Sequence, residues 1–516
     1  MLNIKKIFIK PEIYLVIAIL FLYLIGLGNV AIRDWDEGYY ATVAQDMNKS
    51  HNWLYPTYLG EPFFFKPPLL FWLISISYNL GGVSELTSRL PTTLLSGFGV
   101  FLLYLLTKEI APNKKGALLT AIVYLTLLPV ARHNRLCMLD GLDNTFLIFS
   151  IWSIFKSKKV EFWAIGLGIG LGLIAMTKGL LVLAFFPIIL IFLIWDKSYQ
   201  ILFTKYCIIG FILGFIPIFT WYFIQYKHYG QVFIDAHFTS QFFNRVTTNL
   251  DGHKNSFFYY FLELIKYGFP WLLFLPKALI YANKNCKKNW AKLSLVWTIT
   301  YITLISLMQT KLPWYIFPIY PFLSIMIGIY LQNFSDNIGK ENNIILVFSL
   351  NILSILSLIS GIYLFLKDKN WLLFAIFLIL TITFIIVAKK IQKKDPQFVT
   401  ILSMGLYISL SLLMLSPYWI WEINEAYDVK PVAILLKSNT PLNQKIYTSF
   451  DYSRPSLDFY SQRRVIPVDL VDLQKIAKDD KINYLLITPS ILKQIGSDRG
   501  IVTGTSNNFI LWKTIR

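Results

Sequence analysis

An all-α polytopic membrane bundle of about thirteen helices, with a large first outer loop and a small C-terminal α/β domain, is the fold that three features of the sequence predict. First, 55% of the 516 residues are hydrophobic and only 15% are charged, a balance that lipid-exposed helices require and water-soluble domains seldom have. Second, the apolar residues fall into runs near the roughly 20 residues that cross a bilayer core. Third, lysines cluster in short groups between those runs, at Lys5-Lys6, Lys114-Lys115, Lys158-Lys159, Lys287-Lys288, Lys389-Lys390 and Lys393-Lys394. Such groups hold loops on the cytoplasmic side, which accounts for the net charge of +19 better than a nucleic-acid groove does, so no nucleic-acid partner is expected.

The predicted spans lie near residues 11–29, 88–107, 116–131, 141–155, 161–176, 179–195, 206–224, 260–281, 293–309, 314–331, 344–366, 371–388 and 398–416. The first is basic and then apolar, as a secretion signal would be, but no small-residue cleavage site follows it, so it reads as an uncleaved helix. Segment 68–80 is apolar but short, which suits a helix in the interface or one re-entering the membrane. With the N-terminus inside, the lysine-rich connections at 108–115, 156–160, 284–292 and 389–394 are cytoplasmic. Outer loops 30–87 and 225–259, and everything after the last span, then lie outside. Loops of that length are usually functional.

Near residue 425 the texture changes. Charge rises, and β-type runs (445–448, 484–487, 509–512) alternate with helical stretches at 429–437 and 470–478. The chain therefore divides into a transmembrane domain at 1–425 and a soluble α/β domain at 426–516, the latter without a Gly-rich phosphate loop. Cys137, Cys207 and Cys286 have no metal-ligand spacing, and no disulfide framework is expected.

The residues that could do chemistry gather in the outer loops. Arg33-Asp34-Trp35-Asp36-Glu37-Gly38-Tyr39-Tyr40-Ala41 follows the first span, and carboxylates there must sit in water, at the membrane surface or in a polar cavity. Asp36 and Glu37 suit a base and its supporting group; the alternative is that both cap the helix over 38–49, where its dipole favours negative charge. Lys66, held in Phe65-Lys66-Pro67-Pro68, is a point charge on a restricted backbone and suits a phosphate, or else snorkels to lipid headgroups. Asp140 follows Arg132-His133-Asn134-Arg135 and either caps the next helix or joins the site, with Arg132 and Arg135 available to a phosphate or pyrophosphate. Lys178 interrupts an uncharged stretch and needs a cavity or interface. Lys311 and Tyr315 stand at one outer constriction, where Trp314 and Tyr315 also fit an interfacial aromatic belt. His237 and His253 read as supporting groups rather than metal ligands, and neither a Walker loop nor a Gly-x-Ser-x-Gly is present.

In this order the motifs resemble those of the C-type membrane glycosyltransferases that take sugar from a polyprenyl phosphate, in the branch of aminoarabinose transferases and bacterial relatives of protein mannosyltransferases. The resemblance covers almost all of residues 10–425. It runs through Asp36-Glu37-x-x-Tyr40-Ala41, Phe65-Lys66-Pro67, Leu139-Asp140, Met176-Thr177-Lys178-Gly179, Arg245, His253 to Tyr260, Pro270-Trp271 and Lys311-Leu312-Pro313-x-Tyr315. It implies that transfer depends on Asp36, that Lys66 contacts the donor phosphate and that Lys178, Arg245 and Tyr315 line the same cavity as further donor-phosphate contacts; Glu37 or Asp140, from the reading of the residues themselves, would be the supporting catalytic carboxylate. Tyr40, Arg132, Arg135, His253 and Lys311 would complete the cavity. Two positions depart from the pattern: Tyr39 stands where aminoarabinose transferases carry arginine, and Phe65 stands where an acidic residue often precedes the lysine.

The expected reaction is inverting transfer of one sugar from an undecaprenyl-phosphate-like donor to a glycolipid, glycan or protein at the outer face of a bacterial inner membrane. Membrane lipids are the surrounding partners; no cofactor is required by these residues, and a divalent metal is left open. The rivals are a lipid-linked sugar transporter or flippase, which would place polar residues near the midplane with internal repeats, and a glycan polymerase or ligase, which would favour arginine-rich outer loops.

Overall fold

The computed structural model describes residues 10–243, 255–340, 343–420, 428–442, 444–479, 481–496 and 500–515. The chain is mostly helical, and it divides into two compact units. The first comprises residues 1–27, 64–69 and 92–419; the second comprises 28–63, 70–91 and 420–516.

Among the described residues eight helices are long and apolar enough to cross a membrane: Glu85–Ile110, Glu161–Trp195, Lys205–Tyr229, Asn289–Leu307, Pro313–Asp336, Ile344–Asp368, Trp371–Gln392 and Phe398–Leu415. That is fewer than the apolar runs in the sequence, for local reasons. The runs 161–176 and 179–195 join into one helical stretch with a tight turn at Gly179–Leu181. The run 260–281 is divided into Tyr259–Tyr267, Trp271–Phe274 and Leu275–Lys284 around Gly268 and Pro270, where proline lacks the N–H that a continuous helix needs. The run 116–131 parts at Leu127, just before Pro129, into Lys114–Thr126 and Leu128–His133.

In the first unit the helix Ile165–Lys178 is gripped on two sides through glycines. A Cβ at Gly168 or Gly172 would collide with the backbone of Phe211 or Gly214, and one at Gly210 with that of Ile165. On its other flank Gly166 and Gly170 meet Ser153 and Ser150 of the helix Asp140–Ser157. Small residues at such spacing let helix backbones approach closely where lipid offers no hydrophobic drive. The result is a rigid three-helix wall with Lys178 at the end of its middle member.

The second unit is built on a five-stranded sheet. Its strands are β3 (Lys445–Thr448), β4 (Arg464–Pro467), β5 (Tyr484–Ile487), β6 (Gly500–Ser506) and β7 (Phe509–Thr514), after a hairpin of β1 (Thr57–Tyr58) and β2 (Glu61–Pro62). The spatial order is β4-β3-β5-β7-β6, with β3 parallel to both neighbours and the β5–β7–β6 edge antiparallel. Strand alternation gives each face its own core. Val432, Leu436, Ile446, Leu457, Leu486 and Leu511 fill one face, and Leu473, Ala477, Leu485, Ile487 and Trp512 the other. Residues 28–63 and 70–91 belong to the same unit, which sets the acidic segment at 33–37 against the 453–460 stretch of this sheet domain.

Candidate active site

Of the three carboxylates in 34–37, two are tied down. Asp34 accepts from Arg454 Nε (2.7 Å), Ser456 N (3.0 Å) and Ser456 Oγ (2.5 Å). Glu37, fully buried, accepts from Arg89 Nε (2.8 Å), Arg89 Nη2 (2.9 Å) and the Arg33 amide (2.7 Å). Arg89 also donates to the carbonyls of Val30 (2.7 Å) and Ala31 (2.8 Å), so one buried guanidinium fixes both the carboxylate and the incoming chain. Asp36, between them, is half-buried at the first residue of the helix Asp36–Ser50. Among the described residues no hydrogen bond or ion pair holds it. Trp35 carries φ +65°, and this unusual backbone turns the helix start. Tyr40 is buried, its ring 5.8 Å from that of Phe71, and it serves the core.

The cationic candidates lie in the first unit. Lys66 is half-buried on the segment 64–69, and that segment is anchored two residues earlier: His237 Nδ1 donates to the Phe64 carbonyl (2.6 Å). This fixes the proton on Nδ1, so Nε2 accepts from Tyr222 Oη (3.1 Å). Burial, helped by the charge of Lys66, lowers the His237 imidazole to about 4, so it is neutral and acts as a strut. Gly179, with φ +57°, lets the chain pass close by: a Cβ there would lie 2.8 Å from Tyr222 Oη, 3.3 Å from His237 Nε2 and 3.8 Å from Pro67 Cγ. The neighbours of Lys66 and of Lys178 are thereby brought together.

Lys178 faces two buried carboxylates, Asp140 Oδ1 at 2.6 Å and Asp143 Oδ2 at 3.2 Å, and Thr177 Oγ1 donates to Asp143 Oδ1 at 2.5 Å. Asp143 was not expected from the sequence, although an acid at i+3 from Asp140 in an apolar helix was the available signal. Asn144 Nδ2 donates to the Phe317 carbonyl (3.0 Å), tying the same helix to the turn at Pro313–Ile319 that carries Tyr315. Tyr301 Oη donates to the Tyr315 carbonyl (3.0 Å).

The remaining candidates have structural partners. Arg132 Nε donates to the Trp419 carbonyl (2.9 Å). Arg135 donates to the carbonyls of Leu22 (2.7 Å), Ile25 (2.7 Å) and Met414 (3.3 Å), and stacks 4.7 Å over Trp419. It thus caps two helix ends, a use of arginine that the sequence does not distinguish from phosphate binding. Lys311 is buried, its Nζ donates to the Met308 carbonyl (2.6 Å), and burial lowers its affinity for a proton. Arg245 and His253 lie outside the described residues. Among the described residues no group of three or more His, Cys, Asp or Glu side chains could hold a metal ion.

Residues 65–223 match the family model described as dolichyl-phosphate-mannose-protein mannosyltransferase. The undecaprenyl phosphate-α-4-amino-4-deoxy-L-arabinose arabinosyl transferase of Erwinia tasmaniensis is 29% identical over 339 residues, 63% of this chain and 60% of that protein. The chain therefore spans less than two thirds of that relative. Its counterpart numbered 1 from Pseudomonas fluorescens is 26% identical over 427 residues, 79% of this chain and 72% of the relative. The crystal structure of ArnT from Cupriavidus metallidurans bound to undecaprenyl phosphate shares the fold, with a TM-score of 0.80 at 18% identity over 98% of each chain. In its family match, its relatives and its fold this multi-pass chain is similar to the C-type membrane glycosyltransferases that use polyprenyl-phosphate-linked sugars.

Proposed function

We propose that the protein moves one sugar, with inversion, from an undecaprenyl-phosphate-like donor to a glycolipid, glycan or protein on the outer face of a bacterial inner membrane. The observation that carries the assignment of the base is the contrast among neighbouring carboxylates: Asp34 and Glu37 are each clamped by an arginine, while Asp36, at a helix start, has no such clamp among the described residues. In this reading the acceptor hydroxyl gives its proton to Asp36 as its oxygen bonds to the anomeric carbon. The anomeric C–O bond breaks on the opposite side, and its electron pair leaves with the polyprenyl phosphate. Lys66, with Arg245 and Tyr315, takes up the charge that develops on the phosphate. Lys178 already answers two carboxylates, so its part is to fix the pocket wall through Asp140 and Asp143 rather than to supply a spare positive charge.

The lysine-rich short loops support a cytoplasmic N-terminus, with loops 30–87 and 225–259 and the domain at 426–516 outside. Shorter apolar helices such as Pro11–Leu24 would cross alongside the eight long ones, towards a total of about thirteen. The relatives act, by name, on 4-amino-4-deoxy-L-arabinose; Tyr39, in place of the arginine of aminoarabinose transferases, leaves the sugar and acceptor to experiment. Mass-spectrometric comparison of envelope glycolipids, glycans and glycoproteins from wild-type and deletion strains tests the function. A species one sugar lighter in the deletion strain is the expected result; identical profiles would refute it.

A further inference from the structure

The stretch 452–460 of the sheet domain touches the chain on both sides of Asp36. Tyr460 Oη accepts from the Ile32 amide (2.8 Å) and donates to Glu85 (2.8 Å). Arg454 and Ser456 hold Asp34 with three hydrogen bonds. Trp35 stacks on Tyr452 with ring centroids 5.3 Å apart, and Tyr39 Oη bonds Ser453 Oγ at 3.1 Å. Gly38 packs so tightly on the turn that a Cβ there would come within 2.8 Å of Pro455 and the Ser456 amide. Further along, Tyr58 Oη donates to Asp458 (2.5 Å).

Residues 32, 34, 35, 38 and 39 are gripped by this stretch, Glu37 by Arg89 and the Arg33 amide, and Asp36 stands among them. A tryptophan at φ +65° is strained and persists only where its surroundings over-determine it. A helix cap or a simple packing contact would not need so many polar ties on a segment of eight residues. Holding a reacting group within a fraction of an ångström does need them.

We infer that Arg454 and Ser456 are positioning residues for the transfer reaction: acting through Asp34, they fix the start of the helix Asp36–Ser50 so that the Asp36 carboxylate meets the acceptor hydroxyl. The sheet domain is then part of the catalytic apparatus and not only an appendage. This inference rests on the reading of Asp36 as the base.

The test uses membrane vesicles carrying the full chain and their endogenous donor, and follows the product that distinguishes wild-type from deletion cells. The rate is expressed per molecule of monodisperse enzyme, across pH. Arg454→Lys and Ser456→Ala should each lower that rate 10- to 100-fold and displace the acid limb of the pH profile, with the amount of folded enzyme little changed. A purely structural role would instead reduce the folded amount and leave the rate per folded molecule within twofold; that result overturns the inference. Should Arg454→Lys fail to fold, Ser456→Ala, which removes one hydroxyl, decides alone. Asp36→Asn serves as the reference. If it is inactive while both positioning variants run at the wild-type rate, the inference alone fails; if it keeps the full rate, the base assignment fails and takes the inference with it.

Discussion

Arg89 and Glu37 stand 52 positions apart and meet as a fully buried, two-pronged ion pair, Nε to Oε1 at 2.8 Å and Nη2 to Oε2 at 2.9 Å. Removing one partner of such a pair strands the other charge in the interior, which costs about 3–5 kcal/mol. Arg89→Met should therefore lower the thermal midpoint of the purified protein sharply, and also free the Val30 and Ala31 carbonyls. An unchanged midpoint in a fluorescence or scattering melt would show that the pair is dispensable.

Lys178 supplies one positive charge to two aspartates, so its loss leaves them facing each other unscreened. Lys178→Met is expected to abolish transfer and destabilise the protein. Adding Asp143→Asn to that variant should recover part of the stability, with a coupling of about 0.5–3 kcal/mol, without restoring transfer. Strictly additive melts would mean that the three side chains do not act as a unit.

Gly179 occupies φ +57° with Tyr222 and His237 at the place of a Cβ. Gly179→Ala should cost about 1–3 kcal/mol in backbone strain and push the His237–Phe64 strut away from Lys66. The measured consequence is a raised KM for the lipid donor along with a lower melting point. Wild-type values for both would contradict the packing described here.

Burial pushes the Asp458 carboxyl up to about 7, opposed by the Tyr58 hydroxyl, the Val465 amide and Arg464, and aided by Asp34. The folded value lies above the ordinary one of about 4, so the folded state favours the proton. This contribution is complete below about pH 4 and is lost as the pH rises through about 7. The wild-type melting point should fall between pH 5 and pH 8 (the ends being about those values), and Asp458→Asn should flatten the dependence. The same slope in both proteins would rule out Asp458 as its source.

Parts of this structure could be read from the sequence because they are set locally. The helices Ile344–Asp368, Trp371–Gln392 and Phe398–Leu415 follow unbroken apolar runs closely. Strands β3, β5 and β7 coincide with β-branched, aliphatic and aromatic stretches, whereas β4 offers only Val465 and Ile466 between Arg464 and Pro467, too short a run to stand out before it pairs with β3. The site was legible as a set of residue types, but their partners were not. Asp34, Glu37, Arg89 and Arg454 are far apart in the chain, so which carboxylate each arginine takes is decided by topology. Arg132 and Arg135 show the converse: arginines beside an acidic motif suggested phosphate, and their carbonyl partners exist only once the helix ends at Leu22, Ile25, Met414 and Trp419 are in place.

The most direct measurement is the amount of transferred sugar in deletion cells expressing Asp36→Asn at the wild-type protein level. The base assignment predicts none above the empty-vector background, with normal membrane insertion. Wild-type levels of product would contradict it.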